Sequence, residues 1–218
     1  AEVLRVGPAI AAGVLRSSRV RSATFVAADG IEQLVHNVVY RAKTSSSSSA
    51  RISVQIVSQM EHNAEKGGAD LARSVMRTSA LCVATSGTVV LEAALSGTPV
   101  ICAYDADWLT RLAIRRRVRL RFASIPNILA NRDIIPELLF ERCRPENVSH
   151  LVDSYLDETS SAAADQKRAL TNLLSDVLPH ESSSALSAAM LPSELAARLI
   201  LDKMRAIHGA QRPQKSAS

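Results

Sequence analysis

The sequence predicts an α/β fold in which a parallel sheet is flanked by helices. Short strands alternate with helices four times before residue 120, and this alternation is typical of successive βαβ units. Aromatic residues make up only 3% of the 218 residues, whereas hydrophobic residues make up 47%. The core must therefore consist mainly of Ala, Val, Leu and Ile, which suits helices packed on a parallel sheet.

The segment before residue 60 supplies the first helix and strand pairs. Apolar residues at helical spacing predict a helix over 6–16, and the run ATFVAA predicts a buried strand over 23–28. Helical spacing returns over 31–43, and strict alternation predicts a strand over 51–57. The serine run at 44–50 cannot pack, so we expect a flexible surface insertion there.

The next segment repeats the pattern twice. A short helix over 69–78 precedes the buried strand ALCVA at 80–84. A helix over 87–96 precedes the strand TPVICAY at 98–104, and a further helix is predicted over 108–117.

The C-terminal part is predicted to be helical over 146–156, 162–178 and 192–207, with a disordered tail. The expected organisation is a sheet domain over 1–145, C-terminal helices over 146–208 and the tail over 209–218.

Charge and cysteine content narrow the function classes only partly. A formal net charge of +5 is compatible with phosphate ligands, anionic membranes or nucleic acid. Cys82, Cys102 and Cys143 are widely spaced, which favours reduced thiols, and no metal site or cofactor is predicted. No apolar run reaches the length of a membrane span. The chain begins without Met or a signal peptide, and we expect it to be part of a longer protein.

The turn Ser86-Gly87-Thr88 lies between a predicted buried strand and a predicted helix. Small residues at the carboxyl end of a parallel strand let a ligand approach, and the N–H groups of a helix N-terminus favour phosphate. The two hydroxyls would add donors. Glu92 lies one helical turn later, where a carboxylate can accept two hydrogen bonds from a ribose diol. From spacing alone, a plain helix cap followed by a solvated glutamate remains an open alternative.

Three longer runs resemble the lipid-A-disaccharide synthase family. They are SGTVVLEAALSGTPVICAY, LTRLAIRRRV and IPNILANRDIIPELLFERCRPENV. Family members carry an SGT-x-x-LE-A block, an apolar strand that ends in Tyr, a basic helix, and a PN-[LI]-L-A-x-R-x-[IV]-x-PELL run. The order and spacing match over residues 80–148. Glu2 resembles the Glu that follows the glycine-serine-arginine loop of the family.

The resemblance implies a GT-B fold, with two Rossmann-like domains and the donor in the cleft between them. It implies β-1,6 transfer from UDP-2,3-diacylglucosamine to 2,3-diacylglucosamine 1-phosphate, with inversion, release of UDP and no metal. This chain would be the C-terminal, UDP-binding half with a helical tail. The Ser86-Gly87-Thr88 turn would contact the diphosphate and Glu92 the ribose. Asn127 would lie near the donor, with Arg132 as a further candidate in the same loop.

The chain also departs from the family pattern. Asp105 stands where members carry a basic residue, and Phe140 stands where they carry Gln. From the resemblance, we expect the acceptor domain with its proposed general base, and the glycine-serine-arginine loop, to lie outside this chain. We therefore assign no catalytic residue here, expect no turnover by the isolated chain, and expect the N-terminal half of the same protein as a partner.

Six arginines lie between Arg111 and Arg121. A basic amphipathic helix there would suit peripheral contact with an anionic membrane, and a solvated helix face is the alternative. Nucleic acid is not an expected partner, because aromatic residues do not alternate with the basic ones. The resemblance implies a peripheral membrane location or the cytoplasmic or organellar matrix face.

Two other functions remain open. One is a different UDP-GlcNAc-type GT-B transferase, against which the PNILANR and PELL runs argue. The other is a non-catalytic remnant that binds UDP or a membrane. The serine run and the substitutions at Asp105 and Phe140 keep this second alternative open.

Overall fold

The computed structural model describes residues 2–45, 51–58, 71–106 and 121–177. The strands are β1 (Ser22–Ala27), β2 (Ser53–Ser58), β3 (Cys82–Thr85), β4 (Val100–Tyr104) and β5 (Glu137–Leu139). The helices are α1 (Glu2–Arg16), α2 (Glu32–Thr44), α3 (Leu71–Thr78), α4 (Thr88–Leu95), α5 (Ile125–Ala130), α6 (Pro145–Tyr155) and α7 (Ala162–Val177).

The strands form two parallel sheets. β1 pairs with β2, with Ser22 opposite Ser53. The second sheet has the order β3-β4-β5, and Cys102 of β4 lies opposite both Ala84 of β3 and Glu137 of β5. Every described strand pair is parallel and the intervening segments contain helices, so the prediction of a Rossmann-like α/β fold is confirmed.

β4 is the central strand of the second sheet. Its residues from Val100 to Ala103 are fully buried, because neighbouring strands and helices leave no solvent-facing side. β1 and β2 alternate between more and less exposed residues. Both sheets contribute to one hydrophobic cluster, in which Ile101 and Leu138 join Val6 and Leu15 of α1.

α1 packs closely against α6. A Cβ added to Gly13 would lie 2.4 Å from the Cβ of Val148, so only glycine allows this approach. Past the end of α1, buried Ser17 donates a 2.6 Å hydrogen bond to Asp153 of α6. α6 thereby anchors the start of the chain.

Several elements differ from the sequence prediction. α1 starts at Glu2 rather than at residue 6, and the strand β5 was not predicted. The interpretation of PNILANR as a loop is wrong, because Ile125–Ala130 is helical, has a proline at its second position and is followed by Asn131 in the left-handed conformation.

Other predictions lie outside the described residues. They concern most of the serine run (46–50), the helices at 108–117 and 192–207, and the tail at 209–218. The chain divides into two compact units, Ala1–Thr171 and Asn172–Ser218, and the described part of the second is the end of α7. The expected organisation into a sheet domain, helices and a tail stays a prediction. Within the described ranges, no helix is long and apolar enough to cross a membrane.

Candidate functional site

The turn between β3 and α4 has an unusual backbone. Gly87 has φ 155° and ψ −161°, a region that essentially only glycine adopts. A Cβ built on Gly87 would meet nothing within 4 Å, so the space beside the turn is open. No side chain caps the N-terminus of α4 among the described residues, and its first N–H groups therefore remain available to an anion.

The hydroxyl of Ser86 is committed within the protein. Ser86 Oγ donates to the carbonyl oxygen of Ala123 at 2.9 Å, and a carbonyl can only accept. In this state, the Ser86 hydroxyl can still accept a hydrogen bond but has no further proton to donate. The donors that face the open space are the backbone N–H groups and the exposed hydroxyl of Thr88, which differs from the expectation that both hydroxyls would donate.

Glu92 is the acidic residue of an otherwise apolar helix. Its neighbours Val90, Leu91, Ala93 and Ala94 are buried, whereas Glu92 is half-buried. Its carboxylate forms no hydrogen bond or ion pair in the described part of the chain, so both oxygens remain available to a diol.

Asn127 is fully buried on α5. Its Oδ1 accepts hydrogen bonds from the N–H groups of Ile134 and Ile135, both at 2.8 Å. Its Nδ2 donates to the carbonyl oxygen of Ile135 at 2.8 Å and to Glu137 Oε1 at 2.9 Å. All its polar atoms are engaged by the protein, so this geometry favours a positioning role for Asn127. Direct contact with a donor stays a prediction.

Glu137 is a functional candidate that the sequence analysis missed. Its Oε2 accepts from the N–H of Ala123 at 2.9 Å. Its Oε1 accepts from the N–H of Ser124 at 2.8 Å, from the Ser124 hydroxyl at 2.6 Å and from Asn127. Nothing local in the sequence identifies it, because its hydrogen-bond donors belong to a segment that the fold brings to it.

These contacts join two of the predicted site segments and leave one apart. Ser86 and Asn127 are connected through Ala123 and Glu137, although the residues are distant in sequence. Arg132 is exposed just beyond α5 and makes no described contact with this group.

Two aromatic residues lie at the same edge of the sheet. Tyr104 ends β4, and Phe140 follows β5 with φ 53°, a conformation that is unusual for a bulky residue. Their rings meet edge to face with centroids 6.2 Å apart. Phe140, one of the two departures from the family pattern, therefore packs against the residue that ends β4.

Cys102 lies between Ser86 and Glu137 on the central strand. Burial raises the pKa of its thiol to about 12, and the charge of Glu137 acts in the same direction, against a hydrogen bond with Ser86. The thiol is therefore protonated at neutral pH. Within the described ranges, no group of three or more His, Cys, Asp or Glu residues could hold a metal ion.

The fold and this turn define a Rossmann-like α/β domain with an open, donor-rich turn at the carboxyl edge of its sheet. Comparison with known proteins then places it more narrowly. A family model described as lipid-A-disaccharide synthetase matches residues 14–190, which is most of the chain. The chain belongs to this family, whose members are glycosyltransferases.

Individual relatives match over shorter stretches. A lipid-A-disaccharide synthase of Photobacterium profundum is 41% identical over 92 residues, covering 42% of this chain and 24% of that protein. A probable mitochondrial lipid-A-disaccharide synthase of Arabidopsis thaliana is 44% identical over 78 residues, covering 36% and 16%. The synthase of Bradyrhizobium diazoefficiens is 33% identical over 133 residues, covering 61% and 32%. The matches thus span a third or less of these relatives.

Proposed function

We propose that this chain is the donor-binding half of a lipid-A-disaccharide synthase and binds the UDP portion of UDP-2,3-diacylglucosamine. The observation that carries the proposal is the open turn at Gly87, which lies at the carboxyl end of β3 inside the segment that the family model matches. Backbone N–H groups at that turn would bind the diphosphate, and the carboxylate of Glu92, which has no partner among the described residues, would accept hydrogen bonds from the ribose.

The proposed reaction is β-1,6 transfer to 2,3-diacylglucosamine 1-phosphate within a GT-B enzyme. Donor and acceptor must be held in line beside a general base, and the proposal assigns the base and the acceptor site to a second domain outside this chain. The isolated chain would therefore bind UDP without turnover. Asn127 would keep the donor-side loop in place, and Arg132 is an exposed cation that could reach the donor's negative charge.

The test is a calorimetric titration of UDP into the wild-type chain and two glycine variants. Gly87→Ala introduces a methyl group into the open space and should abolish measurable binding. Gly97 also has positive φ (72°), and a Cβ there also meets nothing within 4 Å, so Gly97→Ala is a matched control for backbone strain. Equal loss in both variants, or unchanged affinity in Gly87→Ala, would contradict the proposal.

Disaccharide formation by the full-length reading frame tests the enzymatic part. Tight UDP binding without any disaccharide from diacylated acceptors would favour the non-catalytic alternative. Transfer of GlcNAc from UDP-GlcNAc to an acceptor, with no transfer from UDP-2,3-diacylglucosamine, would favour a different GT-B transferase.

The basic run from Arg111 to Arg121 supports a further proposal, peripheral contact with anionic lipid. Replacing Arg115, Arg116 and Arg117 with Gln should reduce co-sedimentation with anionic vesicles, and added salt should do the same to the wild type. Vesicle binding that is insensitive to both would leave only a solvated basic face.

A further inference from the structure

Glu137, Cys102 and Ala84 lie side by side across the sheet. Ala84 is opposite Cys102 and Cys102 is opposite Glu137, and residues in register share one face of a parallel sheet. Ser86 follows β3 two residues beyond Ala84, so it returns to the same face. The pKa of the Cys102 thiol responds to both Ser86 and Glu137, which agrees with this placement.

Ala123 forms the physical connection between Glu137 and the turn. Its N–H donates to Glu137 Oε2 at 2.9 Å, and its carbonyl oxygen accepts from Ser86 Oγ at 2.9 Å. Glu137 Oε1 also holds the next peptide and the hydroxyl of Ser124. Ala123 therefore connects the carboxylate of Glu137 in β5 to the turn after β3 through two hydrogen bonds.

The carboxylate of Glu137 already accepts four hydrogen bonds from protein donors. Bonds to a charged acceptor are stronger than neutral ones, so the segment from Ala123 to Asn127 is held firmly. The same saturation leaves Glu137 with little capacity to bind a ligand itself. Its effect on a ligand must pass through the residues that it holds.

We propose that Glu137 is a positioning residue for anion binding at Gly87, acting through Ala123 and the Ser86 side chain. The inference rests on the proposed function for its ligand. The hydrogen bonds that link Glu137 to Ser86 through Ala123 fix Ser86 and hence the direction of the Gly87 and Thr88 N–H groups. Without them, these groups would move with an uncapped helix end. Preorganised donors bind an anion more tightly because less ordering is required on binding.

The test is a double-mutant cycle on UDP affinity with Glu137→Gln, Ser86→Ala and the double variant. Glu137→Gln should weaken UDP binding about tenfold, the size of effect expected for losing a charged hydrogen bond. The double variant should bind UDP no more weakly than the single variant with the lower affinity, because both changes break the same connection. The inference would be overturned if the fold-losses in UDP affinity of the two single variants multiplied in the double variant. It would also be overturned if a folded Glu137→Gln protein had wild-type affinity.

The matched control is Glu32→Gln. Glu32 likewise accepts hydrogen bonds from a backbone N–H (Gly30, 3.1 Å) and a serine hydroxyl (Ser58, 3.0 Å), but at the end of the β1–β2 sheet. It should leave UDP affinity unchanged. A role of Glu137 in overall stability alone would lower the unfolding temperature without weakening UDP binding by the folded protein.

A ligand-free measurement separates this inference from the proposed function. The amide resonance of Gly87 should move in Glu137→Gln, which is distant in sequence, and should stay in place in Glu32→Gln. Ser124→Ala removes one of the four bonds to Glu137 and serves if Glu137→Gln does not fold. If wild-type protein fails to bind UDP, the proposed function is wrong. If the Gly87 resonance does not move in these variants, the positioning role is refuted independently.

Discussion

Asn127 on α5 and Gln166 on α7 are two buried carboxamides that form the same kind of hydrogen bonds in different parts of the fold. Gln166 Oε1 accepts from the N–H of Val100 at 2.7 Å and its Nε2 donates to the carbonyl of Val100 at 2.9 Å. Asn127 binds the peptides of Ile134 and Ile135 in the same manner. Each side chain thus satisfies backbone groups that burial would otherwise leave unpaired.

The difference lies in what each carboxamide binds next. Gln166 Nε2 also lies 3.0 Å from the Tyr155 hydroxyl, and burial raises the pKa of that phenol to about 12. Gln166 Nε2 also lies 3.4 Å from the carbonyl oxygen of Ile134, but none of its described bonds is with Glu137, Ala123 or Ser86. Asn127 instead binds Glu137, whose other bonds lead to the open turn. The same kind of hydrogen bonding therefore stabilises the fold at Gln166, whereas at Asn127 it also connects the fold to the candidate site.

The largest expected effect is that of Asn127→Ala. It removes four hydrogen bonds from a fully buried position, leaves the Ile134 and Ile135 peptide groups without these partners and takes one of four bonds from Glu137, which should cost about 3–5 kcal/mol of unfolding free energy. UDP affinity of the remaining folded protein should fall as well. Denaturant unfolding and calorimetry check the two parts, and a stability loss with unchanged affinity would separate Asn127 from the site.

Gln166→Leu should have the next largest effect, and on stability only. It leaves the Val100 peptide without its partner in the core, at about 2–4 kcal/mol. Since its contacts do not reach the turn, the folded variant should bind UDP as the wild type does. A comparable loss of affinity would show that the two carboxamides do not differ in the way proposed.

Glu92→Ala should show the opposite pattern. Its carboxylate makes no described hydrogen bond, so the unfolding temperature should barely change. UDP affinity should fall by about 1.5–3 kcal/mol through loss of charge-assisted bonds to the ribose. Binding of inorganic diphosphate should stay or improve, because a negative charge has been removed. Equal weakening toward both ligands would indicate a damaged fold rather than a lost ribose contact.

The smallest effect concerns the Glu32 turn in the other sheet. Hydrogen bonds from its own N–H, from Gly30 and from Ser58 hold the pKa of Glu32 below its ordinary value. A lowered pKa stabilises the fold above the unfolded value, and this stabilisation is lost as pH falls through the folded value. The difference in unfolding temperature between wild type and Glu32→Gln should therefore be largest at neutral pH and disappear toward acid. A constant difference would contradict the assignment.

The sequence predicted β1 to β4 because each of these strands carries a local pattern. The buried run of β4 and the alternation in β2 are readable without tertiary information. β5 has only three residues, too few for a period, and α5 has a proline at its second position, which also fits a loop. Both depend on contacts outside the element itself: β5 pairs with β4, and Asn127 of α5 bonds to Ile135 and Glu137.

The candidate site was predictable only in part for the same reason. The Ser86-Gly87-Thr88 turn and Glu92 follow from local order along the chain. The commitment of the Ser86 hydroxyl to Ala123 depends on a contact 37 residues away. A saturated carboxylate such as Glu137 is indistinguishable in sequence from a solvated one, because the distinction depends on which donors the fold brings to it.

The central claim is that UDP binds at the turn between β3 and α4. Its most direct test is a titration of UDP into isotopically labelled protein, following the backbone amides of three positive-φ glycines, Gly87, Gly30 and Gly97. We expect the Gly87 and Thr88 amides to move and saturate while Gly30 and Gly97 remain in place. A Gly87 amide that does not respond at saturating UDP would contradict the account.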